Sequence, residues 1–345
     1  MSQPTALDMK MDPLWKRMLG GGSGTIWVAT VLLFIVSPFF APASLNYSAV
    51  VGMLPFAAVL AIAAVGQTLV IQQGGLDLSV PGMMAFSAAL ATGLYQWYSW
   101  PTWAAVIAAI VFPGLAGLIS GIIVTHFRVM SLVVTLGMNA VLLGVVFWLA
   151  DGIPAGAPDA LAQFAKGKIF DIPGVFGIPN ALVIAAAIVV FLGFVVQRTI
   201  IGRRLTAVGV SESAAAALGV PVNTYRSLAY MGAGMAYGLA GVLYAGYVTT
   251  PPLFYGDSYL LPSVAAVVLG GTAIGGGRAA LVSTGIAALF LTQLGQLMRA
   301  VGLPEPLQLL AQAGVLLAVV LMRAVIPEIS AAIRERRDNA KSPAG

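Results

Sequence analysis

The chain has 345 residues, of which 59% are hydrophobic and only 8% are charged, and its formal net charge is +5. Soluble proteins carry about 25% charged residues, so this composition excludes an ordinary soluble domain and indicates a polytopic membrane protein. The lack of cysteine excludes disulfides, and the single histidine, His126, excludes a multi-histidine metal site. We expect no metal and no cofactor. The positive charge is typical of cytoplasmic loops in membrane proteins and does not indicate nucleic-acid binding.

Apolar runs of about 18–25 residues are long enough to cross a bilayer as helices. The hydropathy pattern therefore predicts an all-α protein with about ten transmembrane helices. In chain order they are expected at 25–43, 49–73, 79–98, 101–125, 129–150, 179–197, 227–248, 261–276, 279–301 and 306–325. The boundaries at Pro101 and at the glycine-rich Gly270–Gly277 are the least distinct, so eight or nine spans are the alternatives.

The distribution of Lys and Arg predicts the orientation of these spans. With the N-terminus in the cytoplasm, only Lys166, Lys168 and Arg299 fall on the outer side, which leaves 14 of the 17 basic residues inside. The opposite orientation would invert this bias. We therefore expect both termini in the cytoplasm. The chain divides into an N-terminal tail (1–24), a transmembrane domain (25–326) and a C-terminal tail (327–345).

Three connecting segments stand out. The segment 199–226 is a polar, charge-bearing stretch in an otherwise apolar chain, and it lies on the cytoplasmic side in this orientation. Its alanine-rich centre, Glu212–Leu218, is too short and too polar to cross a bilayer. The segments 151–178 and 249–260 are expected to be outer loops.

A polar interruption lies between the second and third spans. Gly66-Gln67-Thr68 is followed by Gln72-Gln73-Gly74-Gly75-Leu76-Asp77-Leu78-Ser79. Polar side chains at membrane depth need partners in the protein or in a water-filled cavity, and discontinuous helices mark transporter sites. Asp77 is therefore either a pathway residue or an N-cap of the third span, and the two roles are compatible.

A second interruption, Gly270–Gly277, resembles a phosphate-binding loop only superficially, because no Lys-Ser or Lys-Thr follows it. It is either a site of tight helix packing or a second helix break opposite the first. Asn139 and Gln293 are further polar side chains within spans. The residues expected at a translocation pathway or helix break are thus Gln67, Gln72, Gln73, Asp77, Ser79, Asn139, Gly270, Gly271, Thr272 and Gln293.

The sequence contains no credible nucleotide site, and Asp77 is the one plausible acid at membrane depth. An ion-driven carrier usually has more titratable groups there. If transport is active, its energy is expected to come from another subunit, and the segment 199–226 is the obvious docking point for that subunit.

Four ordered blocks resemble one known family. Gly66-Gln67-Thr68 with GGLDLSV (74–80), LVVTLG (132–137), GRRLTAVGVSESAAAALGV (202–220) and AAVVLGGTAIGGG (265–277) are similar to blocks in permease subunits of ribose-type bacterial ABC importers. The resemblance covers roughly residues 25–325.

This resemblance implies a protein of the bacterial inner membrane that performs no chemistry itself. It would pair with a second permease, identical or related, above two cytoplasmic ATPase subunits. A periplasmic solute-binding protein would deliver a monosaccharide or a similar solute to the outer loops. The residues that would couple to the ATPase are those of the short coupling helix and its end, Glu212, Ser213, Ala214, Ala215, Ala216, Ala217, Leu218 and Gly219.

The sequence therefore predicts the membrane-spanning subunit of an ATP-driven, binding-protein-dependent importer for a neutral polar solute. The main alternative is a secondary transporter or facilitator that acts alone. A structural or exporter component of the membrane is a more remote alternative.

Overall fold

The computed structural model describes residues 24–172, 176–304, 306–314, 317 and 321. The expected N-terminal tail, apart from residue 24, and the expected C-terminal tail lie outside the described residues, as do nine of the twenty residues of the tenth expected span, 306–325.

The described chain is built almost entirely of helices. They are α1 (Gly24–Phe40), α2 (Tyr47–Ile71), α3 (Val80–Tyr98), α4 (Thr102–His126), α5 (Ser131–Ala150), α6 (Asp159–Lys166), α7 (Asn180–Arg198), α8 (Ile200–Val210), α9 (Glu212–Ala217), α10 (Val222–Val248), α11 (Asp257–Gly270) and α12 (Leu281–Ala300). A 3-10 helix, Pro42–Leu45, joins α1 to α2, and residues 306–314 are again helical.

By length and composition, six of the described helices can cross a membrane: α2, α4, α5, α7, α10 and α12. The apolar helices α1 and α11 are shorter, with 17 and 14 residues. At 1.5 Å per residue α11 rises about 21 Å, less than the roughly 30 Å of a hydrocarbon core. The protein is an all-α polytopic membrane protein, and α11 is too short to cross a bilayer by itself.

The centre of the bundle is formed by α2 and α10. In the most apolar 18-residue stretch of each of these helices, 67% of the residues are buried inside the protein, whereas the corresponding share in α5 is only 17%. Close backbone approach makes this packing possible. A Cβ on Gly117 of α4 would lie 2.3 Å from the carbonyl oxygen of Tyr230, and one on Gly234 of α10 would lie 2.2 Å from that of Pro113. Helix pairs in membranes are commonly joined through such small residues.

The expected outer loop 151–178 contains structure that the hydropathy pattern did not indicate. The helix α6 is followed by a two-stranded antiparallel sheet of β1 (Lys168–Ile172) and β2 (Phe176–Pro179). The hydroxyl of Tyr47, at the start of α2, donates to Asp171 Oδ1 at 3.2 Å, and Lys168 pairs with the same oxygen at 3.4 Å. We refer to this end of the bundle as the hairpin end and to the opposite end as the α8–α9 end.

The segment 199–226 is helical over most of its length, as α8 and α9. The expected span at 227–248 begins too late, because α10 starts at Val222, directly after Pro221. The first turn of α10 contains Asn223 and Thr224, whose polarity lowers the local hydropathy without ending the helix. Arg226, taken as the end of a loop, therefore lies within α10.

The expected outer loop 249–260 is partly buried. The hydroxyl of Tyr255 donates to the carbonyl of Met84 in α3 at 2.9 Å, and a Cβ on Gly256 would lie 2.3 Å from the carbonyl oxygen of Pro81. Helix α11 then begins at Asp257 and ends at Gly270, whereas the sequence predicted a span at 261–276. The segment thus folds back against the first turns of α3.

Candidate functional site

The segment Gln72–Ser79 breaks the path between α2 and α3, as the sequence predicted. Gly74 has φ +73° within it. Asp77 and Ser79 are fully buried, and Asp77 Oδ1 accepts hydrogen bonds from the Ser79 amide, at 2.9 Å, and from the Ser79 hydroxyl. The N-cap position of α3 is Ser79, and Asp77 bonds no amide of the first turn. The expected capping role of Asp77 is therefore not observed.

Three side chains of α5 satisfy the backbone of this break instead. Thr135 Oγ1 accepts from the amide of Leu78 at 2.9 Å, and Ser131 Oγ accepts from that of Leu76 at 3.3 Å. Asn139 Oδ1 accepts from the amide of Gly82, in the first turn of α3, at 2.7 Å. The three polar residues lie four apart and so share one face of α5. Irregular backbone within a membrane protein needs such internal partners.

Two tyrosines of α10 complete a buried polar cluster with the break. The hydroxyl of Tyr237 donates to Gln67 Oε1 at 2.6 Å, and both residues are fully buried. Tyr230 is also fully buried beside Gly75, where a Cβ would lie 2.6 Å from its hydroxyl. Gln67 Nε2, Asp77 Oδ2 and the Tyr230 hydroxyl have no hydrogen-bond partner in the described chain. This cluster therefore keeps spare hydrogen-bonding capacity away from solvent.

The second glycine-rich segment forms a break between α11 and α12, and it touches the first. Gly271 ends α11 with φ +99°, and Thr272 Oγ1 accepts from the amide of Ala280 at 3.1 Å just before α12. The amide of Gly277 donates to the carbonyl of Gln72 at 2.8 Å. Close packing occurs here too, because a Cβ on Gly270 would lie 2.6 Å from the amide nitrogen of Thr284. The segment thus combines the two features that the sequence offered as alternatives, tight helix packing and a helix break next to the first one.

The remaining expected pathway residues do not gather at one place. Gln72 and Gln73 extend toward α8, where their Nε2 atoms bond Thr206 Oγ1 and the Leu205 carbonyl, each at 3.0 Å. Gln293 Nε2 donates to Ser37 Oγ of α1 at 3.0 Å. Gln293 is nine residues from Thr284 along α12, about 13 Å at the helical rise. It therefore lies apart from the two breaks.

The expected coupling segment is a short helix with its own caps. Ser211 Oγ accepts from the amide of Ala214 at 3.3 Å, and Gly219, with φ +77°, follows the end of α9. Glu212 forms an ion pair with Arg226 of α10. Of the six residues of α9 only Ala215 is buried, and Leu218 beyond it is 81% exposed. The helix thus presents most of its surface outward at the α8–α9 end.

Cavities lie toward both ends of the bundle. One of about 610 Å³ lies between the first break and α9 and is lined in part by Gly74, Arg128, Ser131, Glu212 and Arg226. A second, of about 410 Å³, lies toward the hairpin end. It is lined by Phe56, Leu60, Ser258, Tyr259, Pro262, Leu291, Thr292, Gly295, Arg299 and Gln312. The polar breaks therefore have a cavity beside them at one end and an aromatic, hydroxyl- and amide-lined cavity toward the other.

A comparison with protein families matches residues 49–320 to the branched-chain amino acid transport system / permease component family. This match covers most of the chain and includes both breaks, α8 and α9. The chain belongs to this permease family.

Individual permeases are similar over nearly the same length. The ribose import permease protein RbsC of Escherichia coli (strain K12) is 30% identical over 300 residues, which cover 86% of this chain and 91% of the relative. RbsC of Bacillus subtilis (strain 168) is also 30% identical over 300 residues, covering 86% and 90%. The autoinducer 2 import system permease protein LsrC of Klebsiella pneumoniae is 29% identical over 280 residues, covering 81% and 79%. No solved structure matches the permease chain.

Several residues of this candidate site were missed by sequence reasoning. Tyr230 and Tyr237 lie seven residues apart, which places them on one face of α10, and that spacing could have identified them. Thr135 could have been found as the residue four before Asn139. Thr206 carries no such signal, because its importance depends on a contact with Gln72, which is distant in sequence.

Proposed function

We propose that this chain is the membrane-spanning permease subunit of an ATP-driven, binding-protein-dependent importer, located in the bacterial inner membrane. The observation that carries the proposal is the exposed, self-capped helix α9 at the end of a bundle that belongs to a permease family. A surface helix that is polar at its start and small thereafter is suited to docking in a cleft of another protein.

The solute is a neutral polar molecule, and we propose a monosaccharide. Its support is the names of the relatives, two of which import ribose and one autoinducer 2. The family description mentions branched-chain amino acids instead, so the family alone does not assign the solute. Phe56 and Tyr259 beside Ser258, Thr292 and Gln312 supply the aromatic faces and hydrogen-bonding groups that a sugar requires.

The partners follow from the importer class. A second permease, identical or related, completes the pathway, and two cytoplasmic ATPase subunits bind at the α8–α9 end through Glu212–Gly219. A periplasmic solute-binding protein docks at the hairpin end, where α6, the β-hairpin and the start of the 249–260 segment lie. Hydrolysis of ATP takes place in the partner subunits, and this chain is not itself an enzyme.

The orientation is the one that the basic residues predict, with about ten spans and both termini in the cytoplasm. Arg198, Arg203, Arg204 and Arg226 all lie near the α8–α9 end, and this clustering supports a cytoplasmic location for that end. The hairpin end is periplasmic. A transporter that acts alone is not favoured, because the similar chains are import permeases.

Co-purification tests the docking of the ATPase. Ala216 is exposed on α9, so Ala216→Arg adds a long charged side chain to the docking face without disturbing the core. We expect this variant to insert normally but to lose the co-expressed ATPase on detergent purification. Gln163→Arg, at an exposed position of α6, is the matched control and should retain the ATPase. Full ATPase recovery with Ala216→Arg would contradict the docking proposal.

A further inference from the structure

Three segments that are far apart in sequence meet at one point of the α8–α9 end. The hydrogen bond from the Gly277 amide to the Gln72 carbonyl joins the two helix breaks. Gly209 of α8 packs directly on that bond, because a Cβ on Gly209 would lie 2.0 Å from the Gln72 oxygen and 2.6 Å from the Gly277 nitrogen. The backbone of α8 thus touches both breaks where they are bonded to each other.

The contact is reciprocal. A Cβ on Gly276 would lie 2.4 Å from the carbonyl oxygen of Gly209, and Gly276 and Gly277 have φ of +92° and +84°. No side chain separates these three stretches of backbone, so none can absorb a displacement by changing rotamer. A closely packed interior transmits such a displacement to its neighbours.

Side chains of the first break add two bonds to α8. Gln72 Nε2 bonds Thr206 Oγ1 and Gln73 Nε2 bonds the Leu205 carbonyl. The Oε1 atoms of both glutamines are buried and have no partner in the described chain. Buried acceptors are rarely left unpaired, so these two oxygens are available for bonds in a second arrangement of the same segments.

Helix α8 is also joined directly to α9. The amide of Ser211 donates to the Ala207 carbonyl at the end of α8, and its hydroxyl accepts from Ala214 at the start of α9. Ser211 is therefore both the C-cap of α8 and the N-cap of α9. No flexible loop lies between the two helices that could absorb a displacement.

We infer that the contact of Gly209 with Gln72, Gly276 and Gly277, assisted by Gln73 and Thr206, is the junction through which a displacement of α9 reaches both helix breaks. This inference rests on the proposed function, since an ATPase would supply the displacement. The five residues other than Gly209 position the breaks relative to α8. Gly209 is the residue whose size controls the contact.

Fluorescent reporters test the junction in the complete permease–ATPase complex in nanodiscs. The chain contains no cysteine, so single cysteines can be labelled with bimane against a clean background if the ATPase is made cysteine-free. Thr224→Cys, exposed at the start of α10, reports motion near α9, and Ile274→Cys, 62% exposed, reports the second break. Emission is compared between the nucleotide-free and the vanadate-trapped complex.

When the cysteine is the only substitution, we expect the bimane emission of both reporters to change on vanadate trapping. Gly209→Ala should leave the Thr224→Cys response intact and reduce the Ile274→Cys response at least fivefold. Gly144→Ala is the matched control, because a Cβ there meets nothing within 4 Å, and it should leave both responses unchanged. A full Ile274→Cys response in Gly209→Ala would overturn the inference.

The two reporters distinguish a failure of the inference from a failure of the proposed function. If the native chain shows no Thr224→Cys response, the coupling proposal fails and the inference fails with it. If Thr224→Cys responds and Ile274→Cys does not, only the inference fails. Should Gly209→Ala not assemble, Thr206→Val removes the bond to Gln72 at nearly constant volume. It should at least halve the Ile274→Cys response, and an undiminished response would overturn the inference.

Discussion

Individual backbone amides at the first break depend on side chains of another helix. Asn139 of α5 serves Gly82 in the first turn of α3, the role that sequence reasoning considered for Asp77. The local pattern suggested Asp77 because a carboxylate just before a helix is a common cap. It could not suggest Asn139, because a cap supplied across helices depends on the tertiary contact and not on spacing in the chain.

Asn139→Ala should therefore destabilise the protein. The amide of Gly82 loses its acceptor inside the bundle, and an unpaired buried amide costs about 1–3 kcal/mol. We expect a lower midpoint of thermal unfolding in detergent. Asn223→Ala, at an exposed position, is the matched control and should unfold as the native chain does. Equal midpoints for the two variants would show that water or another group replaces Asn139.

Asp77 acts as a hydrogen-bond acceptor through its Oδ1 atom in this structure. It accepts two bonds from Ser79 and forms no ion pair in the described part of the chain. Asp77→Asn keeps an acceptor at the same place, so its uptake activity should stay within about twofold of the native value. Asp77→Ala removes the acceptor and should impair assembly or transport by about tenfold, as measured by membrane yield and uptake. If Asp77→Asn were inactive, transport would depend on the negative charge of Asp77 and not only on its acceptor oxygen.

At the scale of elements, the sequence predicted breaks where glycines and polar side chains interrupt apolar runs, and both breaks are present. It also predicted the short helix α9, whose observed extent is Glu212–Ala217. It did not predict the β-hairpin or α6, because short amphipathic elements carry weak hydropathy signals. The length of α11 was also missed, since the burial of Tyr255 and Gly256 against α3 cannot be derived from composition.

The end of α9 offers a test of the coupling helix as an element. Gly219 has φ +77° and open space around it, so Gly219→Ala introduces backbone strain of about 1 kcal/mol without a clash. A helix of six residues has little stability of its own. We expect normal insertion with ATP-driven uptake reduced about tenfold. Gly144→Ala should transport normally, and normal uptake by Gly219→Ala would contradict a coupling role for the end of α9.

At the scale of the whole molecule, the charge distribution predicts which end faces the cytoplasm. Ala215 is buried, so Ala216 is the better position for a probe on α9, and Gln163 is an exposed position on α6. In intact cells Gln163→Cys should react with a membrane-impermeant maleimide, and Ala216→Cys should react only after permeabilisation. The reverse pattern would overturn the orientation.

The contact of α8 with the two breaks could not be predicted from the sequence. Gln72, Gly209 and Gly277 are separated by more than 60 residues at each step, and only the folded bundle brings them together. Each glycine was visible as a small residue, but small residues are common in membrane helices and do not by themselves identify their partners.

The central claim is that a partner ATPase and a binding protein drive transport through this chain. Proteoliposomes containing the permease together with its partner permease, identical or related, can be offered a mixture of radiolabelled aldopentoses and aldohexoses. The ATPase, the binding protein and internal ATP are each included or left out. We predict accumulation only when all four components are present. Accumulation by the permease alone would contradict the claim, and no accumulation under any condition would contradict the assignment to a monosaccharide.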